Sequence, residues 1–243
     1  MILKKTERLE DLQCGGLNII QDKELYTFSS DSVVLANFVK TKAKDVAVEI
    51  GAGSGVVSIL VQAKNKLGHI FSFEIQPCMA ELCERNIALN NLQEKITLVG
   101  DDVKNFKKYI RPASVDVVFS NPPFFKETNF KQSEVKKIAK EDACLKVETL
   151  AEVASKMLKE GGNFFCVYCA ERAIELACEL QKNRLIVKEL FFTENGKGEI
   201  NLVVVKAVKG GKQGVKILPN LVRNDADGKY LETLHTKHFC EDS

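Results

Sequence analysis

No stretch of this chain reaches the ~18 consecutive apolar residues that a membrane-spanning helix needs, so no bilayer crossing is expected. The opening Lys4-Lys5-Thr6-Glu7-Arg8 is polar where a secretory signal would be apolar, and a cytoplasmic location is expected. Histidine is scarce, with three in 243 residues. His235 and His238 can share a helix face, but no other ligands accompany them and no metal site is expected. Charge of one sign is missing too: a net charge of +2 does not by itself mark a nucleic-acid binder, so any such reading must rest on local clusters. There is no internal repeat, which excludes a repeat architecture. A disulfide framework is also absent, since the eight cysteines are scattered through apparent strands and helices and read as reduced, mostly buried thiols. Cys166-Val-Tyr-Cys169 has C-x-x-C spacing, yet it spans a strand end and has no second such pair, which argues against zinc or redox use. What remains, at 45% hydrophobic and 28% charged residues, is a globular composition long enough for one substantial domain with appendages or two small ones.

The chain turns on Val46-Ala-Val-Glu-Ile-Gly-Ala-Gly-Ser-Gly55. Val46, Val48 and Ile50 are β-formers, and the apolar residues from Val56 to Val61 resume at helical spacing, so the pattern predicts strand, glycine turn and helix. Glycines permit positive φ and let backbone approach a ligand closely, and a helix start offers free N–H groups to an anion. The spacing is G-x-G-x-G rather than the dinucleotide G-x-G-x-x-G, and Glu49 precedes the first glycine by two. An acid there repels a pyrophosphate but can accept, directly or through water, from the ammonium of a zwitterion such as S-adenosylmethionine. A second strand, His69 to Phe73, ends on Glu74, about 20 residues beyond the glycines, where such folds place an acid on ribose hydroxyls.

Along the chain, Gly15-Gly16 and the alternation of residues 17–21 predict a small hairpin, and Ser29-Ser30-Asp31-Ser32 caps a helix through Val39. Asp31 reads as a first-turn acid, and Ser30 and Asp31 are placed to close over a cofactor. Further strands are predicted at 96–99, 115–119, 163–168, 185–192 and 199–208, with helices over 77–91, 145–158 and 171–182. The third strand ends at Gly100-Asp101-Asp102, where Asp102 can bind an adenine amino group or cap the following turn. Residues 125–142 are lysine-rich without an apolar stripe and read as a mobile loop. Alternating strands and helices finished by an antiparallel pair imply an α/β three-layer sandwich around a mostly parallel, seven-stranded sheet. We therefore expect a hairpin and capping helix over residues 1–40, the main domain over 41–208 and a basic tail over 209–243. The lysines of that tail, Lys209, Lys212 and Lys216, read either as a solvated connector or as phosphate contacts.

The fourth strand runs into Asn121-Pro122-Pro123-Phe124, at the sheet rim where open α/β folds bind ligands. The Asn121 side-chain oxygen and the Pro122 carbonyl can both accept from an exocyclic NH₂, turning its lone pair toward an electrophile. No strong base is needed if the leaving group departs neutral. The two prolines stiffen the turn, and Phe124 offers a stacking face typically worth ~1–3 kcal/mol per base. A base in a nucleic acid must leave its stack to reach such a slot.

Glu49-x-Gly51-x-Gly53-x-Gly55, Glu74, Asp102 and Asn121-Pro-Pro-Phe124, in this order, resemble Rossmann-like class I S-adenosylmethionine-dependent methyltransferases acting on planar exocyclic nitrogens. Gly15-Gly-Leu-Asn-Ile-Ile-Gln21, Phe28-Ser-Ser-Asp-Ser-Val-Val-Leu-Ala36, Lys209-Gly-Gly-Lys212 and Asp227-Gly-Lys-Tyr230 narrow the resemblance to bacterial tRNA(Val) adenine-37 N(6)-methyltransferases, over nearly the whole chain. The resemblance implies tRNA as partner, S-adenosylmethionine as methyl donor and S-adenosylhomocysteine as product. It implies Gly51, Gly53 and Gly55 along the methionine portion, Glu74 on the ribose, Asp102 on the adenine, and Asn121, Pro122, Pro123 and Phe124 around the target base. Phe124 stands where the family usually has Tyr, and Lys140-Glu141-Asp142 stands where it has Arg-His-Glu. No obligate protein partner is evident, and a monomer is expected. The same two acceptors also fit a guanine 2-amino group in rRNA or a protein glutamine amide, and a non-catalytic RNA-binding module is the reading of a different class.

Overall fold

The computed structural model describes residues 2–122, 145–194 and 197–222. The chain opens with an antiparallel hairpin, β1 (Glu7–Asp11) and β2 (Asn18–Asp22), followed by helix α1 (Ser30–Phe38). Then come β3 (Val46–Ile50), α2 (Val56–Asn65), β4 (His69–Phe73), α3 (Pro77–Leu89) and β5 (Ile96–Val99). A 3₁₀ turn over Val103–Lys108 leads to β6 (Val115–Ser120). After residues 123–144 the chain continues with α4 (Val147–Met157), β7 (Leu158–Cys169), α5 (Ala173–Lys182), β8 (Leu185–Glu194) and β9 (Ile200–Lys209). Two-residue strands β10 (Lys216–Ile217) and β11 (Leu221–Val222) follow.

One sheet carries the domain, in the order β10-β8-β9-β7-β6-β3-β4-β5, with β11 also on β8. Neighbours from β7 to β5 are parallel, while β9 is antiparallel to both β7 and β8. The seven long strands β3–β9 are thus the expected mostly parallel sheet with its last strand reversed. The nine-stranded total is larger because β10 and β11 add to the outer edge of β8, and two-residue pairings have no periodicity by which a sequence could announce them.

Strand alternation builds the three layers. Ala47, Val117, Phe119, Phe165, Val167 and Val204 face a core shared with α1, α2 and α3. Val48, Val118, Phe164, Cys166, Val203 and Val205 face the opposite core, shared with α4 and α5. Cys166, the first thiol of the C-x-x-C pair, is buried, which pushes its pKa up and leaves it an inert packing group.

The chain lays β4 and β5 on one side of β3, then crosses back to place β6 on the other, so a crevice opens beyond the β3 and β6 ends. The hairpin leans on α3. Asn86 and Asn90, one helical turn apart, act as surrogate strand partners for β2: Ile20 N donates to Asn86 Oδ1 (2.7 Å) and Asn18 N to Asn90 Oδ1 (3.0 Å). The amide nitrogens return the bonds to Ile20 O (3.1 Å) and Asn18 O (2.8 Å). Glu7 adds a bidentate pair with Arg85, whose guanidinium holds that carboxyl down at about 2.

Candidate active site

Strand register sets the row of site residues. Ile50 lies across from Phe73 on one side and Ser120 on the other, and Phe73 across from Val99. The residues that follow these strand ends, Gly51, Glu74, Asn121 and Gly100, therefore share one rim. Ser120 Oγ ties two of the ends together by donating to Ile50 O (2.7 Å).

The glycine turn forms because Gly51 N and Ala52 N both donate to Phe73 O (3.0 and 2.9 Å), curling the backbone over β4. All three glycines have positive φ, at 74°, 56° and 84° for Gly51, Gly53 and Gly55. Their surroundings differ. A Cβ at Gly51 would meet no heavy atom within 4 Å, whereas one at Gly55 would fall 2.7 Å from Cys83 Sγ. Gly51 thus opens on space for a ligand, and Gly55 is needed for the packing of α2 on α3.

A pocket at this rim is lined by Gly51, Ala52, Gly53, Ser54, Glu49 and Asn121, with Tyr26, Phe28 and Ser32 contributed from before and within α1. The glycine turn and Asn121, about 70 residues apart in sequence, meet in it. Asn121 Nδ2 donates to Ser32 Oγ (3.2 Å), which leaves Oδ1 as the accepting end of the amide. Pro122 is buried beside it; Pro123 and Phe124 lie outside the described residues, as does the whole lysine-rich segment at 125–142, which includes Lys140-Glu141-Asp142.

Glu49 is 1% exposed. It accepts from Ser58 N (3.2 Å) and from Ser58 Oγ, which is also 2.7 Å from Ser72 Oγ. Burial pushes its carboxyl up to about 8 against the pull of the Ser58 bonds, with the neighbouring Glu74 adding to the rise. Burial thus favours the protonated form of the expected carboxylate. Glu74 is buried as well, its pKa raised by desolvation; its Oε2 accepts from Gly53 N (2.8 Å) and its Oε1 from Gln76 N (2.9 Å). It braces the glycine turn through these backbone N–H groups and does not itself line the pocket.

Asp102 caps the 3₁₀ turn, accepting from Lys104 N (2.9 Å), and the preceding Asp101 binds Asn105, Tyr109 and Lys108. Ser30 and Asp31 form the first turn of α1, Ser30 Oγ donating to Asp31 Oδ1 (3.4 Å), and neither lines the pocket. Tyr26, Phe28 and Ser32 line the pocket beside the glycines. The pattern of aromatic residues at 26 and 28 just ahead of a helix cap was the available signal.

The lining suits a zwitterionic nucleoside: a rim open at Gly51, the buried acid Glu49, and aromatic residues at 26 and 28. Among the described residues, no basic side chain that would hold a pyrophosphate lines the pocket.

Residues 27–189 match the family model for the methyltransferase small domain. The tRNA1(Val) (adenine(37)-N6)-methyltransferase of a Flavobacteriaceae bacterium (strain 3519-10) is 28% identical over 167 residues, covering 67% of this chain and 68% of its own. The protein of that name from Shewanella baltica (strain OS195) is 23% identical over 233 residues, 95% of this chain and 93% of its own. Among solved structures, a predicted O-methyltransferase from Agrobacterium tumefaciens superposes with a TM-score of 0.67 at 17% identity, over 86% of this chain and 96% of that one. M. jannaschii TYW2 in complex with AdoMet gives 0.59 at 18% identity, over 85% and 87%. Both likenesses are of fold. Among the described residues, no helix is long and apolar enough to cross a membrane.

Proposed function

Because the chain belongs to the methyltransferase small domain family, we propose that it moves the methyl group of S-adenosylmethionine to the exocyclic 6-amino nitrogen of an adenine in tRNA. The curated relatives are named for adenine 37 of tRNA1(Val), and we take that adenine as the substrate here. The observation that carries the reading is the presence of the Asn121 amide and the Gly51-Gly53 backbone in one pocket wall.

The bound donor supplies an electrophilic methyl on a sulfonium that leaves as a neutral thioether. The protein's part is placement. Asn121 Oδ1 and the Pro122 carbonyl accept the two hydrogens of the target amine, which holds the nitrogen lone pair out of the ring plane and toward the glycine-lined wall. Phe124 is assigned the stacking face for the extruded base. Glu74 and Asp102 are assigned the ribose and adenine of the donor, and Glu49 the amino-acid end. The surplus proton passes to water after transfer, so no side chain need act as a base.

The test is transfer of labelled methyl to total tRNA by the pure protein, with nucleoside mass spectrometry. N6-methyladenosine from one tRNA is expected; label only in 2-methylguanosine, or in protein glutamine, overturns the reading. Asn121→Ala should lower the transfer rate by at least about a hundredfold while the donor's dissociation constant, read by calorimetry, shifts little.

A further inference from the structure

We propose that a second cavity, on the α1 face of the sheet near the start of β3, seats a backbone phosphate of the tRNA whose adenine enters the catalytic pocket beyond the end of that strand. This rests on the reading of tRNA as substrate given above and adds a place where the rest of that substrate is held.

The cavity has a volume of about 190 Å³, and Lys40, Lys42 and Lys206 bring three ammonium groups to its wall beside Asn163, Phe165 and Asp45. Strand register explains how they meet. Lys216, Glu189, Lys206 and Phe165 lie directly across from one another on β10, β8, β9 and β7, and residues opposed in this way project from the same face. Phe165 belongs to the core shared with α1, so the row faces that helix, and Lys40 and Lys42, just past Phe38, close the cavity from the helix side.

The charges are not all committed within the protein. Lys206 Nζ donates to Glu189 Oε1 (2.7 Å), which directs the ammonium and leaves two of its three N–H donors. The side chains of Lys40, Lys42 and Asn163 have no hydrogen-bond or ion-pair partner among the described residues. The acid in the wall, Asp45, accepts from Lys42 N (2.7 Å) in the turn that leads into β3. Three cations against that carboxylate and Glu189 leave the site positive. Lys216 carries the charge on to the sheet edge, about 10 Å from Lys206 by strand spacing. Ammonium groups gathered around one concavity repel one another, and an entering phosphate replaces that repulsion with attraction.

Placement selects the source of the phosphate. Ser32, in the first turn of α1, lines the catalytic pocket, and Lys40, just beyond the last turn, lines this cavity, so roughly 12 Å of helix separates the two. A stem-loop with one base extruded into the catalytic pocket carries phosphates over such a distance, and the row then offers it further contacts at Lys206 and Lys216. A small free anion would use the cavity alone.

Lys40→Gln with Lys42→Gln tests the seat. Lys156→Gln with Lys182→Gln is the control, an equal change of charge on α4 and α5, whose core lies on the opposite face of the sheet. The readouts are tRNA affinity across a salt series, kcat and KM for methyl transfer to tRNA, donor affinity by calorimetry, and thermal melting. The Lys40/Lys42 variant is expected to bind tRNA about tenfold more weakly at low salt and to flatten the slope of log affinity against log salt by about one to two. KM for tRNA should rise by a similar factor, with kcat, donor affinity and melting temperature unchanged, and the control pair should keep the wild-type slope. Wild-type affinity, slope and KM in the Lys40/Lys42 variant, while the wild type methylates tRNA, overturns the seat and leaves the function standing; an equal flattening in the control pair does the same, since the effect is then one of net charge. A wild type that binds tRNA with a slope the variant flattens, yet methylates none, keeps the seat and overturns the function. Calorimetry with inorganic phosphate separates the sources: phosphate binding that the variant abolishes, with tRNA binding untouched, assigns the cavity to a free anion and overturns the proposal.

Discussion

Glu49 is the residue whose chemistry departs most from what its position suggests. A carboxylate under a glycine turn invites a cation, yet the fold buries this one against Ser58 and Ser72, beside Glu74 and the Cys83 thiol, and its proton is held up to about 8. In the unfolded chain the same group titrates near its ordinary value of 4.5. Between those two values the folded state keeps a proton that the unfolded state has released. Its contribution is therefore most favourable below pH 4.5, declines as pH rises, and levels off above about 8. Glu49→Gln removes that slope. The stability of the wild type relative to the variant, from urea melts, should fall between pH 5 and pH 8 by a few kcal/mol at most; a difference constant with pH would mean that Glu49 is already ionised in the fold. Cationic donor binding should draw the proton off, so calorimetry in buffers of different ionisation enthalpy should detect proton release at pH 7 in the wild type and none in Glu49→Gln.

At the scale of elements, the link between the hairpin and the site is the α3 pair, Asn86 and Asn90. Asn86 is fully buried and serves three backbone groups: Ile20 N, Ile20 O and, at 3.0 Å, Ser54 O in the glycine turn. One side chain therefore joins β2, α3 and the turn. Asn86→Ala strands those groups without water, and a loss of about 2–4 kcal/mol is expected. Because Ser54, Tyr26 and Phe28 all line the pocket, donor affinity should fall with stability, and a variant that loses less than about 0.5 kcal/mol, within the range of an ordinary surface substitution, would show the clamp to be dispensable. None of this was legible in the chain. The strands, the glycine turn and the hairpin announce themselves through local period and turn residues, and they appear where expected. An asparagine in the middle of a helix reads as a solvated polar residue, and its partner is 66 residues away. Ser30 and Asp31, expected to close over a cofactor, sit in the first turn of α1 and do not line the pocket, whereas Tyr26, Phe28 and Ser32 do.

For the whole molecule, the question is how a chain with a net charge of +2 would hold the tRNA proposed as its substrate, and the tail offers a local answer. Its composition suggested three equivalent lysines, but the fold separates them. Lys209 Nζ donates to Ser155 O and Leu158 O, both at 2.7 Å, so it fastens the end of β9 to the α4–β7 junction. Lys212 and Lys216 are exposed, on a segment held to the sheet edge by Lys188 Nζ bonding Lys212 O (3.1 Å) and Gly214 O (2.9 Å) and by the pairing of β10 with β8. A basic strand fixed to an edge can meet phosphates without the ordering cost of a free tail. Lys212→Gln with Lys216→Gln should therefore weaken tRNA binding and flatten the plot of log affinity against log salt by up to about two, one released counterion per lysine. Lys209→Gln should lower the melting temperature and leave that slope alone, because its charge is committed to carbonyls. If the double variant binds tRNA with unchanged affinity and slope across a salt series, residues 209–222 serve only to finish the sheet, and the polyanion is met elsewhere on the rim.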